Sequence, residues 1–127
     1  MNIINQIRYQ YYKKAVLKFT EDFSFHMSSI CIYWKSNNST VRNGDLIKEA
    51  INLLDTWERI SDNVYKNKQS KITIEIKKND KLEDISKIIL KIEISNIAKK
   101  LPSAMIKKLI ILAENKLDLS SCDNLIN

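Results

Sequence analysis

Few groups in this 127-residue chain could do chemistry, and none has the company that catalysis requires. The single histidine, His26, lies among Phe23, Phe25 and Met27. A histidine acting as a general base needs a nucleophile to deprotonate or a carboxylate to orient its ring. Asp22 stands one turn back, but that position serves equally to start a helix, so His26 reads as a packed side chain. Cys31 and Cys122 are far apart without metal-ligand spacing, and their expected state is the reduced thiol of an intracellular protein. A zinc site needs several His, Cys or carboxylate ligands converging, which one His and two scattered Cys do not supply. The adjacent acids Glu21-Asp22 and Glu83-Asp84 fall near expected helix starts, where the helix dipole favours negative charge. Gly44 is the only glycine, so a phosphate-cradling loop is excluded. No catalytic residue, metal or cofactor is expected.

Charge points to a second kind of chemistry. The net charge is +6, nearly all of the excess is Lys, and Lys pairs recur at 77-78, 99-100 and 107-108. A basic face of this kind would bind nucleic acid non-specifically and with a steep salt dependence. Two observations weigh against it. Arginine, the usual reader of phosphate and bases, occurs only at Arg8, Arg42 and Arg59. The abundance of Ile, Lys and Asn is also what an A/T-rich genome encodes. The opening MNIINQIRYQYYKK has no continuous apolar core and carries Arg8 early, so no signal peptide is expected. No apolar run approaches the ~20 residues of a bilayer span. The overlapping sequons in Asn37-Asn38-Ser39-Thr40 then read as a polar loop, and the expected location is the cytoplasm or nucleus.

The elements that position these groups read as helices. A hydrophobic fraction of 44% allows a buried core, whereas one Gly and one Pro (Pro102) leave little for the tight turns of a sheet protein. Residues 2 to about 19 read as a first helix, with a boundary at Thr20-Glu21-Asp22. A second helix carries Phe23, Phe25, Met27, Ile30, Cys31, Tyr33 and Trp34. KSNNSTVRNGD is a loop ending in a turn at Asn43-Gly44-Asp45, with Asp45 as N-cap. From Leu46, the residues Ile47, Ala50, Ile51, Leu54, Trp57, Ser61 and Val64 recur at three- and four-residue steps and predict one amphipathic helix. KITIEIKK over 71–78 alternates like a strand. With no second strand to pair with, it is expected to be an extended connector or an irregular helical turn. Asp80 and Glu83 suggest a capping box for a broadly apolar helix from Leu82 to Ile97. Pro102 suits the start of a last helix carrying Met105, Ile106, Leu109, Ile110, Leu112, Ala113 and Leu117. The expected fold is all-α. One domain over residues 1–119 forms a compact helical bundle around a central apolar hairpin, 82–117, with a frayed tail over 120–127.

Several of these segments resemble the poxviral Bcl-2-like immunomodulators. Ile32-Tyr33-Trp34 and the polar loop after it, then the Leu46–Tyr65 segment with Leu53-Leu54-Asp55, are similar to that family's opening, where an aliphatic–any–Trp triplet ends the first helix. Lys81 to Ile89 is similar to the start of its central fifth helix, and Ala104 to Leu119 to the sixth. The resemblance covers roughly residues 25–119. It implies a Bcl-2-like bundle without enzymatic activity, acting in the host cytoplasm or nucleus. Its partners would be host signalling or apoptotic proteins of the NF-κB, interferon or cell-death pathways, and homodimers occur in the family. Residues 66–80 are shorter than the family's third-and-fourth-helix region. The central helix begins Asp80-Lys81-Leu82 rather than with the Gly-Arg pair of groove-binding members. Both departures favour signalling inhibition over capture of a pro-death helix.

The expected function is that of an interaction factor for host innate defence, with Tyr9, Tyr12, Tyr33 and Trp34 as candidate partner contacts, since aromatic anchors dominate interface energy. The alternative is a small basic nucleic-acid-binding module of a phage or bacterium. An immunity protein neutralising a basic nuclease would need an acidic surface, which this chain lacks. Of the two tryptophans, Trp34 is expected to be the more exposed.

Overall fold

The structure, a computed structural model, describes residues 2–37 and 43–122. It is mostly helical, with one small sheet. The order is α1 (Ile3–Ser36), α2 (Asn43–Asn52), β1 (Trp57–Arg59), β2 (Val64–Asn67), β3 (Thr73–Glu75), α3 (Leu82–Ile97), α4 (Ser103–Lys116) and a 3-10 turn at Ser120–Cys122.

The two expected N-terminal helices are one. α1 has 34 residues, about 51 Å at ~1.5 Å per residue. Asn2 caps it by accepting from the Ile4 amide at 2.8 Å. The expected boundary is absent because Thr20 is buried and its hydroxyl donates to the Val16 carbonyl one turn back at 2.8 Å, satisfying itself inside the helix instead of capping a new one. Lys18 and Asp22 pair across the same stretch at 3.1 Å. Val16, Thr20, Phe23, Ser24, Met27 and Cys31 form the buried stripe.

The predicted helix from Leu46 is correct only for its first turns. Leu46, Ile47, Ala50 and Ile51 are buried on α2. The helix then tightens, with the Leu53 and Leu54 amides donating to Ala50 and Ile51 at 3.1 and 3.0 Å, and the chain turns into an antiparallel meander in the order β1-β2-β3. The Trp57 and Val64 positions that continued the helical count are strand residues, and Ser61 lies exposed in the hairpin turn. Ser61-Asp62-Asn63 makes that turn, held by Arg59 donating to the Ser61 and Asp62 carbonyls and to Asp62 Oδ1. The second hairpin is built on Asn67, whose Oδ1 accepts from the Gln69 and Ser70 amides at 3.1 and 3.0 Å. Lys71 takes the left-handed φ of 64° that glycine usually supplies. Side-chain-to-backbone bonds thus do the work of glycines, which is why a glycine-poor chain still carries a sheet. Residues 71–78 contain β3, and Tyr65↔Ile74 is in register with it. The partner strand lay in the stretch read as helix, so the connector reading is overturned.

α3 and α4 form the expected helical hairpin, and α3 is buried along several faces, at Leu82, Ile85, Ile89, Leu90, Ile92 and Ile94. Its N-cap is Lys81, without a side-chain bond. Asp80 instead closes the preceding turn by accepting from the Lys77 amide at 2.7 Å, and Glu83 pairs with Lys87 at 2.8 Å, so no capping box forms. Pro102 immediately precedes α4. α3 packs on α1, α2 and α4, while α1 touches α2, α3, α4 and the terminal turn. α3 also meets β1 and β2 through the bonds that Trp57 and Asn67 make to Glu93, so α1 and the hairpin are both central.

The cysteines are not separate thiols. Cys31 and Cys122 are joined in a disulfide across 91 positions, with Cα atoms 5.2 Å apart. Around it, the Ser121 carbonyl accepts from Lys35 Nζ at 2.7 Å, and the Asp118 amide donates to Ser24 Oγ at 3.1 Å. Residues 118–122 are strapped to α1 instead of frayed. Asn43-Gly44-Asp45 is the first turn of α2, so Asp45 is not its N-cap. Gly44 is needed because a Cβ there would stand 2.2 Å from the Lys77 carbonyl oxygen. Residues 38–42 of the predicted loop and 123–127 of the tail lie outside the described residues. No described helix is long and apolar enough to cross a membrane.

Candidate functional site

The four aromatic residues expected to contact a partner do not come together. Tyr9 and Tyr12 lie near the start of α1, Tyr33 and Trp34 near its end, and about 37 Å of helix separates Tyr9 from Trp34. Tyr33 is exposed and edge-on to Trp34, at 5.8 Å between ring centres. Trp34 is half-buried, its indole donating to Glu49 Oε2 at 3.1 Å, whereas Trp57 is buried. Tyr9 and Tyr12 are half-buried against the core. His26 is half-buried beside Phe25, 6.1 Å between ring centres. Among the described residues, no group of three His, Cys, Asp or Glu is placed to hold a metal ion.

Two surface depressions between described residues bear on function. The first runs between the start of α1 and α4, with a volume of about 580 Å³, and is lined by Ile3, Gln6, Ile7, Tyr9, Gln10, Met105 and Lys108. On α1 the lining mixes Ile3, Ile7 and Tyr9 with Gln6 and Gln10, and Ile3, Ile7 and the neighbouring Tyr11 are 70%, 66% and 71% exposed. The fully buried stripe begins only at Val16, so on these turns Ile3, Ile7 and Tyr11 are left uncovered while Tyr9 and Tyr12 lean on the core.

The second depression, about 570 Å³, lies between α1, the turn after α2 and α3, with Glu93 among its lining residues. Glu93 sits on the buried side of α3 and is 3% exposed. Its Oε1 accepts from Thr56 Oγ1 at 2.6 Å, Trp57 Nε1 at 2.6 Å and Asn67 Nδ2 at 3.2 Å. Asn67, itself buried, also accepts from Asn96 Nδ2 at 2.9 Å. One carboxylate oxygen therefore ties the meander to α3. Burial pushes the Glu93 carboxyl above its ordinary range, and the bonds from Thr56, Trp57 and Asn67 oppose that rise. All ion pairs between described residues lie elsewhere. The acids weighed from sequence were the adjacent pairs Glu21-Asp22 and Glu83-Asp84, and Glu93 has no acid beside it. The available signal was a lone acid amid the apolar run Ile88–Ile97, one turn from Ile89 on the face that must be buried. Trp57, Thr56 and Asn67 gave no such signal, because their segment was assigned to a helix.

No family model, curated protein or solved structure matches this chain.

Proposed function

We propose that this chain is a non-enzymatic interaction factor that seats a partner protein on the bare first turns of α1 and the groove beside α4. The observation that supports this is the exposure of Ile3, Ile7 and Tyr11 on a well-formed helix next to an apolar groove, since exposed contiguous apolar surface marks contact sites. The first twenty residues contain Arg8, Lys13, Lys14 and Lys18 and no acid, and Lys108 borders the groove. A second copy seated on the same face would set basic flanks against basic flanks. The partner that fits is a protein presenting an apolar strip flanked by acids. Of the residues named from sequence, Tyr9 belongs to this surface; Tyr33 and Trp34 mark a smaller aromatic patch at the other end of α1.

The narrower reading is that the partner is a host component of innate signalling or apoptosis. α3 and α4 cover the segments that resemble the fifth and sixth helices of the poxviral Bcl-2-like proteins. Leu53-Leu54-Asp55 lies in the turn after α2, and the meander stands between α2 and α3, so the reading rests on fewer segments than the resemblance first covered. The test is a signalling reporter in cells expressing the chain, paired with co-purification. Suppression of the reporter and a co-purifying protein, both lost in Ile7→Glu while the melting temperature stays unchanged, are expected. A reporter indifferent to the chain, with no co-purifying protein that Ile7→Glu removes, overturns it.

A second reading, nucleic-acid binding, is favoured by the same acid-free segment with Tyr9, Tyr11 and Tyr12 beside Lys13 and Lys14. It requires retardation of nucleic acid at physiological salt that Lys13→Glu/Lys14→Glu abolishes.

A further inference from the structure

The depression beside Glu93 shares no lining residue with the α1 groove, and its chemistry points elsewhere. Glu93 is almost wholly buried, and its three hydrogen bonds all fall on Oε1. Among the described residues nothing donates to Oε2, and no Lys or Arg lies within ion-pair distance. The buried side-chain atoms without a partner among the described residues are Tyr65 Oη and Ser86 Oγ and do not include Oε2, so this oxygen opens toward the cavity. Here the donors fix one oxygen and leave the other to the cavity that the residue lines. Asp55, exposed, adds a second acid at the same cavity, and none of its lining residues is basic. That is notable in a chain of net charge +6. The Asn96 amide nitrogen is committed to Asn67 Oδ1, which leaves its carbonyl oxygen as a further acceptor. Phe19, Leu54 and Ile97 supply apolar walls.

From this geometry we propose that the cavity binds an ammonium or guanidinium group on a short aliphatic stem, the cation meeting Glu93 Oε2 and the stem packing against Phe19, Leu54 and Ile97. The bound N–H donors complete the acceptor set that the chain leaves open, in a setting where charge-assisted bonds are strong. The group is the end of a lysine or arginine side chain of another protein or a free alkylamine, and the two share this chemistry. The proposal is independent of the partner surface on α1, and either can fail alone.

The two indole N–H signals make the test direct, because Trp57 donates to Glu93 while Trp34 donates to Glu49, which does not line the cavity. The unmodified chain is titrated with n-butylammonium, n-butylguanidinium and neutral n-butanol while both indole resonances are followed by NMR. A saturable shift of the Trp57 signal with either cation, with Trp34 unmoved and n-butanol at least about tenfold weaker, is expected. Glu93→Gln keeps an acceptor for the three donors and should weaken cation binding by at least about tenfold without loss of the fold. Nα-acetyl-lysine methylamide separates the sources. Tighter binding than n-butylammonium identifies a protein side chain, and weaker binding a free amine. Absence of any saturable shift, or equal binding of n-butanol, overturns the proposal on the unmodified chain alone, whatever the variant does; equal binding by a folded Glu93→Gln overturns it too.

Discussion

Residues 3–12 and residues 16–31 belong to one helix, yet only the second stretch contributes fully buried residues, whereas in the first only Tyr9 and Tyr12 lean half-buried on the core. Val16, Phe23, Met27 and Cys31 are each essentially inaccessible, while Ile3, Ile4, Ile7 and Tyr11 stand mostly in solvent. Helix formation is costly to start and cheap to continue, so the bare turns borrow their order from the packed ones and are closed by the Asn2 cap. Apolar side chains that do nothing for the core are then free to serve a contact. The difference teaches that helicity and burial are separate properties even within one element.

The largest effect that would break this contrast comes from truncating the two halves in turn. Phe23→Ala should cost about 3–5 kcal/mol, whereas Ile7→Ala should stay within about 0.5 kcal/mol. Denaturant unfolding measures both, and a comparable loss at Ile7 would mean the first turns are packed after all. Next is the strap at the far end. A crosslink spanning 91 positions stabilises by about 4.6 kcal/mol in the chain-entropy model, so reduction should lower the melting temperature. Hydrogen exchange should quicken around Ser24–Lys35, leaving residues 3–12 unchanged.

A third handle sits across the cavity from Phe19. Burial raises the Glu93 carboxyl above its ordinary 4.5, partly offset by its hydrogen bonds. The folded chain therefore keeps this proton to a higher pH than the unfolded chain does. The stabilisation is fully present below about 4.5 and is lost as pH rises through the raised folded value. Glu83 and Asp118 act in the opposite sense at lower pH, held down mainly by hydrogen bonds from Lys87 and Ser120 respectively. Subtracting the Glu93→Gln stability profile from that of the unmodified chain isolates the buried group, and a flat difference would place Glu93 in water. The smallest effect is at the end of the packed half. Trp34→Phe removes the bond to Glu49 and should cost about 0.5–1 kcal/mol by denaturant unfolding.

Much of the hairpin at the carboxyl end was legible because Ile85, Ile89, Ile92 and Met105, Leu109, Ala113 repeat at helical spacing and occupy buried faces. Between Leu53 and Val64 the same count misled. Leu54, Trp57 and Val64 also fit a helix, and spacing alone cannot tell a helix stripe from a turn followed by two short strands. The deciding information was the pairing of Trp57 with Asn67 and of Tyr65 with Ile74, contacts that no local pattern contains. The aromatic contact candidates are spread apart for a related reason, since a continuous α1 places Tyr9 and Trp34 at opposite ends of a rod.

The sequence by itself determined the mostly helical character, the position of α3 and α4, the buried Trp57 against the more open Trp34, and the basic, acid-free start of α1, because these follow from composition and from periods of a few residues. Only the tertiary structure decided the fusion of the first two helices, the meander, the Cys31–Cys122 link and the isolation of Glu93. Each of these depends on residues distant in sequence meeting in space, and the free energy that selects them resides in packing and in hydrogen bonds completed between elements.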